Sequence, residues 1–308
     1  MGDLRAIALP GTGPEDVAVD AHGCLYTGVG TNQILRISPG DNGIDVIAEL
    51  PARPAGIELL GDREIVVCAN EAGLLAVDIR TGETRILADT VGGGPLYAVN
   101  NATVAADGTI YFTDATIEPG LTRLWTSSYP PWKEALFAAE PTGRLLRRST
   151  DGTVEVLLDG LSFANGVTLA ADESFVVVAE STARRLSRVW LTGPRRGRDE
   201  LFVGGLPGEP DNLSTDSTGL IWVAISGTSV PDETGVFAFD TAGTIAFRHL
   251  DTIGILSMVS GVRRHGNTLY LSSLRDPFIA AAQLITNDIA RVEFGLSAAS
   301  NDSEKLGA

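Results

Sequence analysis

One short pattern recurs six times along this chain: a polar pair, an alternating apolar run, a tight turn and a second apolar run. Residues 13–28 read GPEDVAVDAHGCLYTG. Altered copies stand at 99–114 (VNNATVAADGTIYFTD), 164–180 (ANGVTLAADESFVVVAE) and 210–225 (PDNLSTDSTGLIWVAI). Weaker copies lie at 54–69 (PAGIELLGDREIVVCA) and 259–273 (VSGVRRHGNTLYLSS). Two apolar runs joined by a Gly-rich or Asp-rich turn make a β-hairpin. The copies start at 14, 54, 99, 164, 210 and 259. A period of about 40 to 50 residues with several strands per repeat belongs to a propeller. A lone hairpin leaves an apolar face uncovered, and radial stacking covers it. The expectation is an all-β, six-bladed β-propeller, one domain over 1–295, followed by a polar, disordered tail over 296–308. The long step between the third and fourth copies predicts an insertion in blade 3. The apolar run Leu4–Leu9 is expected to join the last blade and close the ring, removing the exposed edges.

Aligned on their second residue, the copies present Glu15, Ala55, Asn100, Asn165, Asp211 and Ser260. The innermost strand of each blade runs along the channel, so equivalent positions face one level of the axis. Four of the six, Glu15, Asn100, Asn165 and Asp211, offer oxygen, and none offers sulfur or imidazole. Hard oxygens converging on one point suit Ca²⁺ first, then Mg²⁺ or Mn²⁺. Any one of these residues alone would be an ordinary turn residue. Four at equivalent positions of a repeat call for a shared role.

The formal net charge of −16 argues against nucleic-acid or anionic-membrane binding, which wants a basic face. The basic turn GPRRGR at 193–198 reads as a solvated loop on an acidic protein. Cys24 and Cys68 each sit in an apolar strand run and are expected as buried free thiols. The N-terminal residues show no signal-peptide pattern, and a cytoplasmic protein is expected. The blade 3 insertion, TIEPGLTRLWTSSYPPWKEALFAAE, carries Trp125, Tyr129 and Trp132. It reads as a short helix over 131–140 within a lid over the channel mouth or, equally, a packing loop. These three aromatics, with Asn101 and Asn212 beside the axial positions, are assigned to binding a small, apolar or aromatic substrate.

The stretches FANGVTLAADESFVVVAES, RVWLTGPRRG and LPGEPDNL resemble the strictosidine synthase-like proteins, as do NNATVAADGTIYFTDAT and GRLLRRSTDGTVEVLLDGL. That group belongs to the wider six-bladed set of gluconolactonase (regucalcin) and paraoxonase. The resemblance implies a catalytic Ca²⁺ at the channel top. It implies ligand pairs at Glu15-Asp16, Asn100-Asn101, Asn165-Gly166 and Asp211-Asn212. The glutamate that strictosidine synthase uses falls near Ser257 here, and the first histidine of paraoxonase's dyad falls near Ala55. Strictosidine synthesis is therefore not expected. His22, His249 and His265 are read as structural or exposed. Three functions stay open. The first is a metal-dependent lactonase or esterase, with Asp211 as the candidate base and Asp16 second. The others are a binding propeller with a structural ion and a strictosidine synthase-like bond former.

Overall fold

The computed structural model describes residues 4–40, 43–118, 136–227, 234–251 and 256–284. Six four-stranded antiparallel sheets stand around one axis, forming a six-bladed β-propeller. From the axis outward, blade 2 is Ile57–Leu60, Glu64–Cys68, Leu74–Asp78 and Thr84–Ala88. The other inner strands are Val17–Val19, Val99–Val104, Ala164–Leu169, Glu209–Thr215 and Val259–His265. In blade 6 the outermost strand is Leu4–Ala8. It pairs antiparallel with Phe278–Gln283, Leu4 opposite Ala282. A two-stranded ribbon, Thr90–Val91 with Gly94–Pro95, leads into blade 3.

There is no single core. Six apolar clusters occur, one at each blade interface, including the junction of blade 6 with blade 1. Strand periodicity explains this arrangement. In Glu64–Cys68, Ile65 and Val67 face blade 1, while Val66 and Cys68 face blade 3. In Phe175–Glu180, Val176 and Val178 face blade 3, while Phe175, Val177 and Ala179 face blade 5. A strand covered on both faces must be apolar throughout, which is why these runs read IVVCA and FVVVA. Burying each such side chain contributes about 1.5–3 kcal/mol.

The inner strands are irregular where the site lies. In blade 3 Val99 pairs with Asp114 and Ala102 with Phe112, so Asn100 and Asn101 together oppose one residue. The same shift brackets Asn165 and Gly166 in blade 4, Asp211 and Asn212 in blade 5, and Ser260 in blade 6. A β-bulge of this kind bends the strand and re-aims side chains. Here it falls on the axial residues of four successive blades. The sequence pattern does not reveal it.

The insertion residues Trp125, Tyr129 and Trp132 lie outside the described residues, as does the expected tail over 296–308. Of the helix expected over 131–140, only 136–138 are described as helical. Cys68 is buried, but Cys24 is only partly so, because it follows the hairpin turn directly. No helix among the described residues is long and apolar enough to cross a membrane.

Candidate metal centre at the channel axis

Glu15, Asn100, Asn165 and Asp211 are buried at the heads of their inner strands. Each keeps a side-chain oxygen without a partner among the described residues: Glu15 Oε1, Asn100 Oδ1, Asn165 Oδ1 and Asp211 Oδ1. An unsatisfied buried acceptor costs about 1–3 kcal/mol, and natural folds rarely tolerate several together. The four belong to equivalent positions of four blades, and three of them sense one another: Glu15 raises the pKa of Asp211 and the Asn165 side chain lowers it. Two carboxylates and two amides, all oxygen, fit a hard divalent cation. Among the described residues no group of three or more His, Cys, Asp or Glu side chains is arranged to hold a metal. This candidate set draws half its donors from amides.

Electrostatics favours a cation as well. Burial raises Glu15 from 4.5 to about 7, Arg53 opposing and Asp16 adding to the shift. Burial and then Glu15 push Asp211 well above the usual carboxylate range, with Ser226 and Asn165 opposing. Carboxylates gathered in low dielectric repel one another and hold protons until a positive charge compensates.

One layer below, the structure gives Asp16 and Asn101 a different task from the expected one. Asp16 Oδ1 accepts from Val17 N at 2.8 Å. Its Oδ2 accepts from Ile57 N at 3.2 Å and from Asn101 Nδ2 at 3.0 Å. Asn101 Oδ1 accepts from Val167 N at 3.0 Å. Asn212 Nδ2 donates to the Glu15 carbonyl at 3.0 Å. Asp16, Asn101 and Asn212 thus form a belt on blades 1, 3 and 5, tying the inner strands of neighbouring and alternate blades together. Their counterparts on blades 2, 4 and 6 are Gly56, Gly166 and Gly261. A Cβ on Gly56 would lie 2.5 Å from Asn101 Cα, and one on Gly166 2.3 Å from the Asp211 carbonyl oxygen. The belt closes only because the alternate blades carry no side chain. Asp16 thus accepts three hydrogen bonds, two of them from other blades, which fixes its carboxylate in a structural role.

A second set of residues is absent from the sequence-based assignment. Each repeat except the second carries a hydroxyl at, or within one residue of, the end of its second strand: Thr27, Thr113, Ser181, Ser226 and Ser272. Thr27 donates to the Asp16 carbonyl at 2.6 Å, and Thr113 to that of Asn165 at 2.6 Å. Ser181 accepts from Asn165 Nδ2 at 3.1 Å, which turns the amide so that Oδ1 stays free. Ser226 Oγ lies 2.7 Å from both Asp211 Oδ2 and the Val259 carbonyl. Ser272 and Ser260 converge with Asn212 on the Glu15 carbonyl, at 2.9 and 2.7 Å. The sequence signal is weak: Thr27, Thr113 and Ser272 stand one residue before the end of their copies, and Ser181 and Ser226 one residue after.

None of the three histidines belongs to this site. His249 pairs with Val236 on the outermost strand of blade 5, His265 pairs with Thr268 beside a hairpin turn, and His22 lies in a turn. Ser257 donates through its backbone and hydroxyl to Asp276 Oδ2, at 2.8 and 2.9 Å. The far mouth of the channel holds a cavity of about 480 Å³ among the hairpin turns. Arg263 lies at its wall, paired with Glu58 at 3.0 Å.

Fold and site together define a six-bladed propeller with a ring of buried, unpaired oxygens at one end of its channel. The chain belongs to the SMP-30/gluconolactonase/LRE-like family, whose model matches residues 41–275. Residues 1–37 match the strictosidine synthase-like N-terminal model. The chain is 33% identical over 220 residues to the adipocyte plasma membrane-associated protein hemomucin of Drosophila melanogaster. The match covers 65% of this chain and only 36% of that relative. Among solved structures, a gluconolactonase from Xanthomonas campestris superposes with a TM-score of 0.72 at 20% identity, over 92% of this chain and 89% of that one. A calcium-binding regucalcin from Agrobacterium tumefaciens gives 0.67 at 16% identity, over 90% and 94%. At such identities these structures establish the shared fold.

Proposed function

We propose that this chain is a divalent-cation-dependent hydrolase of small-molecule esters, lactones first, with Ca²⁺ held by Glu15, Asn100, Asn165 and Asp211. The observation that carries this reading is the set of four buried oxygens, one per residue, left without partners among the described residues. The gluconolactonase-like family supports the reaction class, and the calcium-binding regucalcin neighbour supports the choice of ion.

A bound dication would polarise the ester carbonyl and stabilise the negative charge developing on its oxygen. The chain's own residues prepare the site. Ser181 turns the Asn165 amide, and three donors fix the Glu15 carbonyl. Ser226 can hydrogen-bond to Asp211 Oδ2, leaving Oδ1 as the oxygen able to ligate or to accept the proton of an attacking water. One atom cannot do both at once, so Asp211 as base requires loosened ligation at that moment. Asp16 and Asn101 hold the blades in register. Asn212 fixes Glu15, leaving the small-molecule substrate to the mouth above.

The test is a thermal melt with and without EDTA, followed by add-back of Ca²⁺, Mg²⁺ and Mn²⁺, with γ- and δ-lactone hydrolysis followed in the same samples. A cation is expected to restore both stability and turnover. A melt indifferent to EDTA and to every cation would remove the metal reading. In a second arm, Asn165→Ala is expected to abolish turnover and the cation-dependent rise in Tm while leaving the Tm in EDTA near that of the wild type. Turnover lost only in proportion to a fall in that EDTA Tm would instead mark a structural ion in a binding propeller.

A further inference from the structure

Among the described residues, Arg53 is the one basic side chain within 4.0 Å of an axial carboxylate, Nη2 lying 3.9 Å from Glu15 Oε2. It stands in the loop entering the inner strand of blade 2, two residues before Ala55. Ala55 gives blade 2 no oxygen at the axial level, so the ligand ring is open on the side that Arg53 flanks.

The guanidinium is under-used there. A distance of 3.9 Å is too long for a hydrogen bond. Among the described residues its head group donates from Nη2 to the Gly13 carbonyl, at 3.4 Å. The Nε–H is buried with no acceptor among the described residues. Guanidinium carries five donors in a fixed fork that matches a carboxylate. The backbone makes room for it. A Cβ at Gly13 would lie 3.0 Å from Arg53 Nη2, and the φ of +68° there favours glycine independently. Arg53 is one-fifth exposed, its side chain at 20%, so its position is within reach of a ligand at the mouth.

Charge points the same way. In the axial layer Glu15 and Asp211 balance a dication, and Arg53 adds one positive charge. The negative charge of the next layer, where Asp16 and Glu58 outweigh Arg263, lies toward the far mouth.

We propose that Arg53 is a substrate-binding residue: its guanidinium receives a carboxylate carried by the ester or lactone whose carbonyl lies over the axial oxygens. This rests on the hydrolase reading and names its substrate class, a small lactone or ester bearing an oxyanion. A charge-assisted bond of this kind is expected to favour the anionic substrate by about tenfold or more.

The experiment compares γ-butyrolactone with γ-carboxy-γ-butyrolactone on the calcium-loaded wild type, Arg53→Met and Arg53→Lys. The wild type is expected to show a higher kcat/KM for the carboxylate, carried by KM. That ratio should collapse toward one in Arg53→Met and be partly kept in Arg53→Lys. Equal treatment of both lactones by the wild type, or equal loss on both in Arg53→Met, overturns the proposal. If the wild type hydrolyses neither lactone, the hydrolase reading falls and titration calorimetry with tetrahydrofuran-2-carboxylate decides this one. Binding by the wild type that Arg53→Met loses sustains the anion subsite, whereas no binding by the wild type overturns it.

Discussion

Asp211→Asn is expected to cut cation-dependent turnover by about 100-fold or more, and at the same time to stabilise the metal-free protein. The two effects share one cause. Asp211 is buried beside Glu15, and its carboxyl is held well above the usual range by desolvation and by that neighbour. Amide for carboxylate keeps the shape and removes the buried charge. The pH dependence follows from the direction of the shifts. A carboxyl whose folded pKa exceeds its unfolded value binds its proton more tightly when folded. Its stabilising effect is therefore complete below the unfolded value and is lost as pH rises through the folded one. Glu15 rises from 4.5 to about 7 and Asp16 from 3.8 to about 6. In EDTA the wild type should lose stability between about pH 4 and pH 7, by about 3 kcal/mol from Glu15 alone. Added Ca²⁺ should stabilise most above pH 7, where it no longer competes with protons. Asp211→Asn should flatten the EDTA curve and shrink the calcium effect. Melts across pH 4–9, with and without Ca²⁺, check the stability effects, and lactone hydrolysis by Asp211→Asn with Ca²⁺ checks the loss of turnover. A metal-free Asp211→Asn protein less stable than wild type at pH 8 would contradict the electrostatic account.

Gly166→Ala is expected to destabilise the fold by about 3 kcal/mol or more, a fall in Tm of roughly 5 °C. The added Cβ would stand 2.3 Å from the Asp211 carbonyl oxygen, 2.6 Å from Leu213 N and 2.7 Å from Asn212 Cα. All three are backbone atoms, so nothing flexible can yield, and blade 4 must part from blade 5. The strain falls on the strand carrying Asp211, so calcium-dependent stabilisation should decline with it. Gly94→Ala is the control. There the nearest atom is 3.7 Å away, and the change should stay within about 0.5 kcal/mol. A Gly166→Ala protein that melts with the wild type would show that the inner strands are not packed backbone to backbone.

The sequence by itself determined the ring of six blades and the level at which Glu15, Asn100, Asn165 and Asp211 stand. Both follow from local, periodic information. A hairpin is specified by its own alternation and turn, and six similar hairpins in series have one way to cover both faces. Apolar runs such as FVVVA already declare a strand buried on two sides. What each polar residue touches was decided only by the tertiary structure. Asp16 and Asn101 look like site residues in the repeat pattern, yet their oxygens are taken by partners on other blades, Ile57, Asn101 and Val167. Such contacts depend on the angle between blades, which no single repeat encodes. The bulges that re-aim Asn100, Asn165 and Asp211 depend on strand register. The approach of Arg53 to Glu15 joins a loop of blade 2 to the head of blade 1, a contact made only by packing one blade on the next.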